Sequence, residues 1–149
     1  MTLRPTDMLY KSAYGFFLAS LLLGPLTGCG SRLATVTGTV SLGGDKVVKN
    51  ESRRGYVSFV PASGDGVTAS GSIDERGEYR LSLGSSQTLP PGEYAVSVRV
   101  CDVTPPPEPG GYSSSRDISP ERYGSAKTSG LQYKLTPGSN RIEIALDAS

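Results

Sequence analysis

Apolar and polar side chains alternate with a period of two through most of this chain. In "TVTGTVSL" Val36, Gly38, Val40 and Leu42 share one face, while Thr35, Thr37, Thr39 and Ser41 share the other. "EYRLSL" sets Tyr79, Leu81 and Leu83 against Arg80 and Ser82. "EYAVSVRV" sets Tyr94, Val96, Val98 and Val100 against Ala95, Ser97 and Arg99. "LQYKL" repeats the pattern with Leu131, Tyr133 and Leu135, and "RIEIAL" with Ile142, Ile144 and Leu146. Successive side chains of a strand point to opposite faces, so this alternation predicts half-buried β-strands. "GYVSFVP" is apolar on both faces and reads as a covered central strand. "VTASGSID", with Ala69, Gly71 and Ile73 inward, adds a seventh.

Turn chemistry separates these segments. Asp74-Glu75-Arg76-Gly77 supplies an Asp and a Gly where a hairpin must reverse, and Pro90-Pro91-Gly92 and Pro137-Gly138 punctuate later boundaries. About seven short strands with no helical spacing predict an all-β fold, an antiparallel β-sandwich of two packed sheets. Two stretches break the rhythm. Residues 43–55 carry Lys46, Lys49, Arg53 and Arg54 and read as an extended surface turn. Residues 102–130 read as a long loop, stiffened by Pro105-Pro106-Pro107 and loosened by "GGYSSS".

The first thirty residues follow a different rule. Arg4 and Lys11 precede an apolar stretch, Ala13 to Leu23, and Gly24-Pro25 then break it. Charged start, short apolar middle and small residues are the layout of a secretory signal peptide. The apolar middle, about 11 to 14 residues, falls below the ~20 that a membrane-spanning helix needs.

The cut region, Leu26-Thr27-Gly28-Cys29, resembles the lipobox of bacterial lipoproteins. The resemblance implies a diacylglyceryl group on the Cys29 thiol, cleavage between Gly28 and Cys29, and often acylation of the new amine. One acyl chain holds only marginally, whereas two or three make a stable anchor. The alternative is an ordinary signal peptide whose cysteine pairs or stays free. An acylated Cys29 has no thiol left to bond Cys101, which then reads as a small residue at a strand end. The expected organisation is a leader over 1–28, a lead-in over 29–34 and a sandwich domain over 35–148. The expected location is the cell envelope, on a membrane facing the periplasm or exterior. Gly30 after the cysteine, rather than an Asp, resembles lipoproteins sent on to an outer membrane.

Charge and composition narrow the functions. The chain has 149 residues, 15 basic and 14 acidic; losing Arg4, Lys11 and Asp7 with the leader leaves thirteen of each sign. A net charge of zero offers no field to hold nucleic acid. The histidine count is zero, which excludes a Ser-His-Asp or Cys-His site and a histidine-ligated zinc. No cofactor or metal is expected.

From Thr35 to Asp147 the chain resembles small bacterial lipoproteins with a carboxypeptidase regulatory-like, transthyretin-like domain. The motifs are "VTGTVSLGG", "VSFVP", "DERGEY", "LPPGEYAVSV", "SPERYGSAKTSGL" and "PGSNRIEIALD" in that order. The chain departs from the compact form by an insertion around residues 45–54. The resemblance implies a seven- or eight-stranded prealbumin-like sandwich, usually without catalytic activity. It also implies a positive φ at Gly77, rings of Tyr79 and Tyr94 buried with hydroxyls at the rim, and a Tyr123 that pins the long loop.

The leading expectation is a non-catalytic, lipid-anchored envelope domain. Its partners would be membrane lipid through the acylated Cys29 and an envelope protein or polysaccharide. A small-molecule or carbohydrate-binding module is the second class, with Tyr112, Arg116 and Tyr123 as candidate contacts. An enzyme using Asp102, Glu108 or Asp117 is the third, weakened because a flexible loop holds a carboxylate pair poorly.

Overall fold

Each alternating segment becomes a strand in the computed structural model, which describes residues 32–148. The leader expected over 1–28, the cleavage after Gly28 and the acylated Cys29 lie outside the described residues. β1 is Ala34–Leu42, β2 Asp45–Lys46, β3 Arg53–Pro61, β4 Ala69–Ser72 and β5 Glu78–Arg80. β6 is Gly92–Thr104, β7 Ser114–Asp117, β8 Leu131–Leu135 and β9 Gly138–Leu146, with one 3₁₀ turn at Glu121–Gly124.

The strands form two mostly antiparallel sheets, an all-β sandwich. In the first, β1 is flanked on one side by β9 and on the other by β5 and β2. In the second the order is β4-β3-β6, and β6 carries β8 along its first half and β7 along its second. The hairpin from β4 to β5 crosses from one sheet to the other, stitched by reciprocal Ser70–Ser82 backbone bonds. One pair is parallel: β1 and β9 run side by side from Ala34↔Gly138 to Leu42↔Leu146.

Two strands exceed the seven expected. β2 is a two-residue closure of the Gly43-Gly44 turn, too short to show a period. β7, "SSRD", is polar and exposed throughout, so it carries no alternation; it forms by backbone pairing with the overrun of β6. Part of the segment expected as a loop over 102–130 is therefore ordered as strand. β3 is central in its sheet, but its outer face is not covered: Tyr56 is 49% exposed while Val57 and Phe59 are buried.

The buried core lies wholly between Ala34 and Leu146. Phe59 sits at its middle, its ring 6.1 Å from that of Tyr94 and 6.2 Å from that of Tyr133. The hairpin at Asp74 forms as expected. Gly77 takes φ 76, and Asp74 Oδ1 accepts bonds from the amides of Arg76 and Glu78.

Gly38 carries the tightest constraint. It lies between Tyr79 on β5 and Ile142 on β9, and a Cβ there would overlap the Ile142 carbonyl and come within 2.9 Å of the Tyr79 hydroxyl. Only glycine leaves the channel through which Tyr79 crosses β1 and donates a 3.0 Å bond to the Ile142 oxygen. The Tyr79 hydroxyl is thus buried inside the sandwich rather than at its rim. Tyr94 does keep its hydroxyl at the rim, bonded at 2.8 Å to the Pro90 carbonyl.

Burial pushes the Tyr79 phenol well above its ordinary range, with a smaller push from Tyr133. A group whose pKa is raised by folding contributes stability below its unfolded value and loses it as pH rises through the folded one. The fold should therefore weaken above about pH 10, the unfolded tyrosine value. Tyr79→Phe should cost about 1 kcal/mol at neutral pH, the usual net worth of such a bond. It should also flatten the alkaline decline, leaving a residue from Tyr94 and Tyr133, whose phenols burial also raises. Urea unfolding between pH 7 and 11 measures both effects.

Candidate functional site

The chain enters at one end of the sandwich, and the register shows which loops share that end. Ala34 exchanges backbone bonds with Leu89, Gly138 donates to the Leu33 carbonyl, Tyr94 faces Pro61, and Gly92 faces Leu135. The opposite end holds the β1–β2 turn, the Asp74 hairpin and the projection of β6. At ~3.3 Å per residue, the 13 residues of β6 span roughly 40 Å. β7 pairs with the last four residues of β6, Cys101–Thr104, and the tip of this ribbon, residues 105–113, holds the prolines and Tyr112.

The outer face of the second sheet is polar and open. Register places Tyr56 opposite Arg99 and Ser58 opposite Ser97, while β4 adds Ser72 beside Tyr56 and Ser70 beside Ser58. Three serines thus lie in one row next to an exposed aromatic ring and a guanidinium. Arg99 Nε pairs at 3.2 Å with Asp117 on β7. A groove of about 590 Å³ follows this face between Arg54, Tyr56, Arg99 and Asp117. Cys101 is a free thiol in its floor, 8% exposed. It sits where β7 and β3 both pair with β6, within the strand rather than at its end.

The three residues singled out for ligand contact occupy separate environments. Tyr112 is 97% exposed at the ribbon tip. Arg116 stands opposite Asp102 on β7. Tyr123 is buried, with Arg122 stacked 4.6 Å over its ring. Its hydroxyl accepts bonds from Arg122 Nη2 and the Asp147 amide and donates to Asp147 Oδ2. That clasp holds the segment after β7 against the end of β9, the pinning role expected for Tyr123. None of the three lines the serine-rich groove.

The carboxylates considered for catalysis are dispersed. Asp102 is held by Arg53 in a two-point pair, Nε–Oδ1 at 2.8 Å and Nη2–Oδ2 at 3.3 Å. Asp117, one rung away across the ribbon, points to the opposite face toward Arg99. Among the described residues no three His, Cys, Asp or Glu side chains gather as a metal site.

At the entry end lies a second concavity, an apolar cleft of about 740 Å³. Pro61, Val67, Leu83, Pro90, Pro91 and Tyr94 line it, with Asp65 and Glu93 at its edge. Glycines keep the flanking turns: Gly66 and Gly92 both take φ near 150, values that L side chains rarely adopt.

No family model, curated protein or solved structure matches this chain.

Sequence reasoning missed the groove. Ser97 and Arg99 were legible as outward positions, but their alignment with Tyr56 and Ser58 depends on register between strands roughly forty residues apart. Apolar chemistry at Tyr56 also reads as burial when only one strand is considered.

The Arg53 guanidinium hydrogen-bonds Asp102 and holds its carboxyl below the ordinary carboxylate range. Such a depressed group contributes stability above its unfolded pKa and loses it as pH falls through the folded one. Asp102→Asn should lower the melting temperature at pH 7. It should also remove part of the wild-type decline below about pH 4, the usual carboxylate range. Thermal melts from pH 7 to 3 check this.

Proposed function

We propose that this chain is a non-catalytic lipoprotein of the bacterial cell envelope, of the carboxypeptidase regulatory-like, transthyretin-like kind. It holds a rigid β-sandwich on a membrane through acylated Cys29 and presents its far end to an envelope protein or polysaccharide. One observation carries the reading: the chain enters the sandwich at Ala34, five residues after the lipobox cysteine, while the ribbon and its exposed tip project from the opposite end. A tether so short fixes which end faces the membrane. The mutual neutralisation of Asp102 with Arg53 and of Asp117 with Arg99 supports a role without acid–base chemistry.

Metabolic labelling with a palmitate analogue should tag the protein, and Cys29→Ser should abolish the label and release the chain from the membrane fraction. Mass spectrometry that found Cys29 unmodified in the native product would overturn the anchor.

The serine row beside Tyr56 and Arg99 favours a second reading, a carbohydrate-binding face. An exposed ring stacks on a sugar's apolar face, and short hydroxyls and a guanidinium meet its polar edge. A glycan at a hundred times its Kd would stabilise the domain by about 2.7 kcal/mol. A thermal-shift screen of envelope glycans should find that shift in the wild type and lose it in Tyr56→Ala. No shift with any glycan sinks this reading.

A further inference from the structure

We propose that the apolar cleft at the entry end is a membrane-docking surface, seated on the lipid bilayer that holds the Cys29 anchor. The proposal rests on the anchored reading above and adds that the sandwich touches the membrane instead of standing off it.

Chain length carries the argument. From Cys29 to Ala34 the chain has five residue steps, which reach at most about 18 Å when fully extended. Ala34 is fixed in place, exchanging two backbone bonds with Leu89 at 2.7 and 2.8 Å. The next two residues, Pro90 and Pro91, are exposed and line the cleft. The cleft therefore opens at the same end as the tether and within its reach. Val67, which also lines the cleft, is an aliphatic side chain left 70% exposed. An apolar surface held this close to a bilayer gains by entering the headgroup–acyl boundary, ~5–10 Å deep.

The surroundings say which force is at work. The charged groups at the cleft edge are Asp65 and Glu93, and Lys134 faces Glu93 across the β6–β8 pair. Among the described residues no Lys or Arg lines the cleft, so docking is by apolar burial rather than by attraction to anionic headgroups, and on a zwitterionic bilayer it should not weaken as salt rises. The far end is held away from that bilayer: its tip, with Pro105-Pro106-Pro107 and exposed Tyr112, lies at the opposite pole from Ala34.

The chain has no tryptophan, so one introduced residue reports alone. The mature chain from Cys29, with Cys101→Ala to leave one thiol, is coupled through Cys29 to a maleimide lipid in phosphatidylcholine vesicles. This chemical tether makes the result independent of native acylation, which mass spectrometry reads separately. With Val67→Trp, emission should shift to the blue and be quenched by lipids brominated in their acyl chains, equally at low and high salt. With Tyr112→Trp, neither should occur. Water-like emission from Val67→Trp on tethered vesicles would overturn the proposal. So would quenching by soluble brominated fatty acid without quenching by brominated vesicles, which would make the cleft a ligand pocket. Quenching at Val67→Trp together with an unmodified native Cys29 would keep the docking surface and remove the anchor.

Discussion

The parallel pairing of the first strand with the last is the constraint on which the rest depends. β1 and β9 run alongside each other over nine residue pairs, from Ala34↔Gly138 to Leu42↔Leu146. Because they run the same way, the chain enters the sandwich at one end and leaves it at the other. A hairpin between first and last strands would have brought both chain ends to the same pole. Gly38 makes the pairing firm: lacking a side chain, it lets Tyr79 reach over β1 to the Ile142 carbonyl, so three strands are tied by one hydroxyl. The polarity of the molecule follows from this, with the apolar cleft at the pole of entry and the polar ribbon at the other.

β6 converts that polarity into reach. Its first half is an ordinary core strand, with Tyr94, Val96, Val98 and Val100 buried between the sheets. Its second half runs between β3, which pairs with it as far as Asp102, and β7, and is further held by the Arg53–Asp102 pair and by the Arg99–Asp117 pair. These pairs are half-exposed, and exposed ion pairs contribute little to stability. Their geometric effect is larger: each ties β6 to a different neighbour, so the ribbon cannot rotate about its own axis without breaking one of them.

Much of this was legible in the sequence because burial in a sandwich is a local rule. Alternation places Val36, Val40, Val96, Val98, Ile142 and Ile144 inside without any knowledge of partners. The turn at Asp74–Gly77 is equally local. What could not be read is whatever depends on which strands are neighbours. The parallel β1–β9 pair, the second sheet's serine row and the passage of Tyr79 over Gly38 all need register. β7 escaped for another reason: "SSRD" has no apolar residue, and its strand exists only because β6 offers an unpaired edge. The pinning by Tyr123 was expected from the resemblance alone; no local rule separates it from Tyr112, which lies in the same polar segment and stays exposed.

Among the described residues β9 pairs with β1 alone of the strands, so its nine residues form an edge of the first sheet. Such an edge can template strand addition by a neighbouring copy. Arg141 and Glu143 stand on its outward face and carry opposite charges that a second strand would have to desolvate. Charged side chains of this kind on an edge strand disfavour edge-to-edge pairing between identical molecules.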